Sequence, residues 1–157
     1  MLAISGGMGT PNFLSTVPYL KQRDVPAIAP NAPSTQIGGT DTPSIFSATV
    51  DYEKQFTGLA TYVFKDQPAP KRIALVGVAG DIGDSAKVGI EAAVGDNSEI
   101  LYVPEKPGTT DFGPIAAQLR RFDADWMFLI MTNADTGGLL KRRSGSATSR
   151  APRRGPA

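Results

Sequence analysis

The chain has 157 residues, of which 41% are hydrophobic and 20% charged, enough for one domain or parts of two and too apolar to remain unfolded throughout. It contains no Cys and no His, which excludes thiol chemistry, disulfides, His-assisted nucleophiles and the common zinc sites. The net charge of +1 hides an asymmetry: Lys141, Arg142, Arg143, Arg150, Arg153 and Arg154 fall in the last 17 residues with no acid among them, so the first 140 residues carry ten basic against fifteen acidic side chains.

In chain order, residues 2–5 read as the end of a short buried strand. Gly6, Gly7, Met8 and Gly9 form a turn that tolerates positive φ. Thr10 and Pro11 then read as a helix start, with Thr10 as N-cap and Pro11 at the first helical position. Phe13, Val17 and Leu20 share a face of that helix, and Pro18 is expected to interrupt and kink it.

Residues 25–29 form the next expected strand, and residues 30–43 a loop rich in Pro, Gly, Ser, Thr and Asn. Residues 45–49 suggest a short strand. Asp51 is the expected N-cap of a helix reaching Lys65, with Tyr52, Phe56, Leu59 and Val63 on one stripe. Residues 72–78 (Arg-Ile-Ala-Leu-Val-Gly-Val) form a nearly continuous apolar run, as in a parallel strand covered on both faces. A helix over 84–94, a strand over 100–103, a helix marked by Phe112, Ile115, Leu119 and Phe122, a strand over 125–131 and a helix starting at 134–141 complete the series. This alternation predicts an α/β fold of doubly wound parallel sheets.

Residues 142–157 hold only Arg, Ser, Gly, Ala, Thr and Pro, and are expected to form a disordered basic tail. The tail has no aromatic residue on which bases could stack, so no specific nucleic-acid partner is expected.

Four constellations are candidates for chemistry. The turn ending in Gly9 and Thr10 precedes a helix, where free N–H groups and the helix dipole favour an anion, a carboxylate as readily as a phosphate; the same residues also suit a plain capped turn. Gly77, Gly80 and Gly83 follow the strongest strand in a G-x-x-G-x-x-G pattern, close to a dinucleotide-binding turn, with Glu105 near the end of the next strand. Asn31, Ala32, Pro33 and Ser34 are small residues at a strand's carboxyl end, where the crevice of an open α/β sheet lies, or part of an ordinary surface loop. Thr132 and Asn133 occupy a similar position. The acids fall mostly at helix starts and turns, where capping explains them better than paired acid–base catalysis. No catalytic residue, cofactor or metal site is expected.

The order of these pieces resembles a known family. Gly7–Asn12 before a helix, Leu20–Pro26, and the small-residue loop from Asn31 to Ser34 look like the first lobe of periplasmic solute-binding proteins of the leucine/isoleucine/valine-binding type. Asp51-Tyr52-Glu53, the strand over 72–78, Gly80-Asp81-Ile82-Gly83, Thr110-Asp111-Phe112 and Asp123-Ala124-Asp125 continue the match over residues 5–141. The resemblance implies two Rossmann-like lobes closing on a small ligand that is then delivered to an ABC transporter permease. It divides the chain into part of a first lobe (1–50), part of a second (51–141) and the tail. It implies that Gly9 and Thr10 grip a ligand carboxylate, that Asn31, Ala32, Pro33 and Ser34 contribute further contacts, and that Ile82, Thr132 and Asn133 do so from the second lobe. Amino-acid binders often carry Tyr at the position of Ile82 and aromatic residues near Thr132, and both are absent here, so an amide, another carboxylate or an aromatic acid is as good a candidate as an amino acid.

The resemblance thus implies ligand binding for import rather than catalysis. Two alternatives remain at this point: an NAD-binding oxidoreductase or epimerase using Gly77 to Gly83, and the ligand-sensing domain of a receptor or regulator. The family's signal peptide and flanking lobe segments have no counterpart in the sequence. The expectation is therefore a truncated, frameshifted product of a periplasmic family, lacking an export signal and so cytoplasmic.

Overall fold

The computed structural model describes residues 2–67 and 71–144. Six strands and five α-helices lie among these residues, in the order β1 (Ile4–Ser5), α1 (Thr10–Arg23), β2 (Ala27–Ile28), β3 (Ile45–Phe46), α2 (Tyr52–Phe64), β4 (Arg72–Val78), α3 (Asp81–Val94), β5 (Glu99–Glu105), α4 (Gly113–Phe122), β6 (Trp126–Ile130) and α5 (Asn133–Ser144). All strand pairs are parallel, in two three-stranded sheets ordered β1-β2-β3 and β5-β4-β6. The expected α/β fold of parallel sheets is what forms.

The second sheet owes its shape to β4. Ile73, Ala74, Leu75 and Val76 are all fully buried. Side chains alternate across a strand, so Ile73 and Leu75 pack with Phe56, Ala60, Ala86 and Ile90 of α2 and α3, while Ala74 and Val76 pack with Ala116, Leu119 and Leu139 of α4 and α5. A central strand covered by helices on both faces is the reason its sequence is an unbroken apolar run. Helices α2 and α3 meet closely at Gly89, where an added Cβ would stand 3.0 Å from the Thr57 amide nitrogen and would collide with the Glu53 carbonyl.

The first sheet is smaller. One face packs on α1 through Phe13, Leu20, Ala27 and Ile45. On the other face Ile28 and Phe46, paired in register, are 50% and 58% exposed.

Several local expectations are corrected. Gly9, at φ 99°, is the N-cap of α1, and Thr10 is its first residue. Pro18 lies inside α1 without ending it; its missing N–H and ring are tolerated in a helix whose buried side is carried by Phe13 and Leu20. The buried stripe of α2 runs through Phe56 and Ala60, and Leu59 is 46% exposed, because α3 approaches from the Ala60 side. Helix α3 begins at Asp81 rather than Asp84. Helix α5 continues to Ser144, so residues 142–144 of the expected tail are helical, and 145–157 lie outside the described residues.

Candidate functional site

The turns after β1 and β2 are laced together. Asn31 N donates to Gly7 O at 2.8 Å, Gly9 N donates to Asn31 O at 3.2 Å, and Met8 and Asn31 form a parallel bridge. Gly7 and Gly9 need their glycines here, with φ at 108° and 99°. The result places the start of α1 beside the loop from Asn31 to Ser34. Ala32, Pro33 and Ser34 are buried and Asn31 is exposed. Ser34 is held by a local turn in which Gln36 N donates to its Oγ at 3.1 Å.

Helix α1 starts with no acidic residue in its first turn and ends with Lys21 and Arg23. The positive end of its dipole is therefore left without a side-chain counter-charge, which favours an anion there. Thr10 is 2% exposed, and its hydroxyl lies 3.2 Å from the hydroxyl of Tyr52, the first residue of α2. The sequence placed Tyr52 on an apolar helix stripe. Nothing in the local pattern indicates a polar contact to a residue 42 positions away.

A second hydrogen bond crosses between the same two regions. Gln36 Nε2 donates to Asp81 Oδ1 at 2.7 Å, joining the loop after β2 to the first residue of α3. The other oxygen of Asp81 is buried and has no hydrogen-bond partner. Ile82, half-buried, follows Asp81. The sequence named Ile82 as a ligand contact and Asp81 only as part of the turn from Gly80 to Gly83; it did not single out Gln36.

The start of α5 serves itself. Thr132 Oγ1 donates to Asp135 Oδ2 at 2.7 Å and accepts from Asp135 N at 3.2 Å, a reciprocal cap of the helix. Thr132 and Asn133 are exposed.

The glycine pattern from Gly77 to Gly83 has a packing cause. A Cβ on Gly77 would stand 2.7 Å from Ile130 Cγ2, and one on Gly83 would stand 2.6 Å from Val78 O and collide with the Tyr102 hydroxyl. The first turn of α3 also carries Asp81 and Asp84, negative charges where a dinucleotide's pyrophosphate would need donors. A concavity of about 430 Å³ lined by Thr110, Asp111, Phe112, Gly138, Lys141 and Arg142 contains none of the candidate ligand-binding residues.

Solved structures share this fold. A fatty acid ABC transporter substrate-binding protein from Thermomonospora curvata matches over 92% of this chain and 38% of its own, with a TM-score of 0.81 at 20% identity. A solute-binding protein of an ABC transporter from R. palustris, in complex with 4-hydroxybenzoate, matches over 91% and 39%, with a TM-score of 0.76 at 25% identity. A leucine-binding protein from Thermotoga maritima matches over 92% and 41%, with a TM-score of 0.77 at 14% identity. The chain thus spans about two fifths of the length of these proteins. No curated protein sequence matches the chain. The family model described as periplasmic binding protein matches residues 1–145, which takes in both sheets and all five helices, and the chain belongs to that family.

Proposed function

We propose that the chain supplies part of a small-molecule binding site for ABC-type import, with residues 1–50 contributing to a first lobe and 51–141 to a second. The observation that carries this reading is the buried Thr10 hydroxyl at the uncompensated N-terminus of α1, laced to the loop from Asn31 to Ser34. That arrangement offers a dipole, helix amides and a hydroxyl to a carboxylate. The ligand class is an amino acid or another small carboxylate or amide. Gly9, Thr10, Asn31, Ala32, Pro33 and Ser34 meet it from the first lobe, and Ile82, Thr132 and Asn133 from the second. Ile82 stands where amino-acid binders often carry Tyr, so a carboxylate such as the 4-hydroxybenzoate bound by the R. palustris protein is as good a candidate as an α-amino acid.

The protein is a binder and not an enzyme, and its partner is the membrane permease of the transporter, met in the periplasm. Thermal-shift titration with leucine, 4-hydroxybenzoate and NAD tests the reading. Stabilisation by a carboxylate, lost in Thr10→Val, supports it. Stabilisation by NAD alone overturns it in favour of the oxidoreductase. A gene neighbourhood without permease and ATPase genes would favour a sensing role over import.

A further inference from the structure

The apolar cores on either side of residue 50 share no residue. Phe13, Leu20 and Ile45 gather under the first sheet, and Phe56, Leu75 and Leu139 about the second. Polar side chains bridge the two: Thr10 to Tyr52, and Gln36 to Asp81. Two bodies with separate cores and a polar contact move against one another unless something holds them. Tyr52 adjoins the link near residue 50, so its bond changes little when the bodies rotate about that link. Gln36 and Asp81 are both remote from the link in sequence, and rotation would part them.

Both ends of the Gln36–Asp81 bond are set in place locally. Gln36 N donates to Ser34 Oγ at 3.1 Å, and Gly80, at φ 88°, caps α3 so that Asp81 is its first residue. The bond itself is short, 2.7 Å, and its acceptor is a carboxylate, which strengthens it. It joins the residue two after Ser34 to the residue just before Ile82, so it draws the candidate contacts of the first sheet's loop toward that of α3. We propose that Gln36 and Asp81 form a catch that holds the two lobes closed, and so act as positioning residues for the ligand site; this rests on the two-lobe reading above. The catch is made to release. Gln36 is exposed, and the second oxygen of Asp81 is buried with no hydrogen-bond partner. Opening returns that oxygen to water, which offsets part of the bond lost.

The chain has no Cys, so Cys introduced at the exposed Gln22 of α1 and Gln118 of α4 takes spin labels at those two places alone. In the full chain without ligand, the distance between the labels is expected to be narrowly distributed, and to broaden and lengthen in Gln36→Met and Asp81→Ala. Asp81→Asn keeps an acceptor for Gln36 and is expected to fall between. If Asp81→Ala does not fold, Gln36→Met decides, and its melting temperature is expected to stay near that of the parent because Gln36 belongs to neither core. Affinity for 4-hydroxybenzoate is expected to fall about fivefold in Gln36→Met. Narrow distances in every variant, or broad ones in the parent, overturn the catch whatever the ligand does. Broadening with unchanged affinity overturns the positioning role. Failure of the parent to bind either 4-hydroxybenzoate or leucine overturns the reading of the site, and the distances still decide the catch.

Discussion

The hydroxyls of Thr10 and Tyr52 lie 3.2 Å apart, linking the start of α1 to the start of α2. Two hydroxyls carry two protons, and one hydrogen bond between them uses only one. The other remains to be donated to a third group, which at the N-terminus of α1 is most favourably an anion. Tyr52→Phe is expected to remove this donor and cost about 1 kcal/mol, or roughly fivefold in affinity for a carboxylate ligand. Titration calorimetry of the variant with 4-hydroxybenzoate measures it. Unchanged affinity would leave Tyr52 a packing residue.

The contact was not legible in the sequence because it depends on how two elements 42 residues apart are brought together. What was legible rested on local physics. The apolar run from Arg72 to Val78 and the Asp51 cap of α2 appear where the sequence put them, since burial of a central strand and capping are decided by neighbouring residues. Thr10 shows the opposite case. Its type fits an N-cap, but Gly9 takes that place with a backbone angle only glycine adopts freely, and the hydroxyl is released for a distant partner. The glycines at 77 and 83 resembled a cofactor turn because close strand–helix packing and phosphate binding both demand glycine.

Gly89 is the position where α2 and α3 come closest. An added methyl would collide with the Glu53 carbonyl and press on the Thr57 amide at 3.0 Å. Backbone cannot move aside as a side-chain tip can, so Gly89→Ala should destabilise by about 1–3 kcal/mol despite the better helix propensity of Ala. Urea unfolding checks this; a gain in stability would mean that the helices part easily.

Asp51 accepts from Lys54 N at 2.9 Å and from Lys54 Nζ at 2.6 Å. Burial alone would raise its pKa, but these bonds prevail and hold it below the usual 3.8. The folded-state pKa is thus depressed, so the stabilisation is complete above the unfolded value and is lost as pH falls through the folded one. Asp51→Ala should cost about 1 kcal/mol at neutral pH and nothing at strongly acidic pH. Melting curves of parent and variant across the acid range should converge; a constant gap would show that the cap acts through something other than its charge.

The opposite sign governs Tyr102. Its phenol sits over Gly83 at the start of α3, and burial first, with the nearby Asp84 carboxylate second, raises its pKa to about 12. The unfolded chain ionises this group near its ordinary value of 10.0, while the folded chain resists. Stability from keeping the phenol neutral is therefore whole below pH 10.0 and lost as pH rises toward about 12. Tyr102→Phe keeps the ring over Gly83 and removes the ionisable group. Phenolate absorbance should show a late-titrating component in the parent that is missing from the variant. The variant should also lose less stability than the parent between neutral and strongly alkaline pH. Equal alkaline losses would place the late phenol elsewhere and break the link between Tyr102, Gly83 and the start of α3.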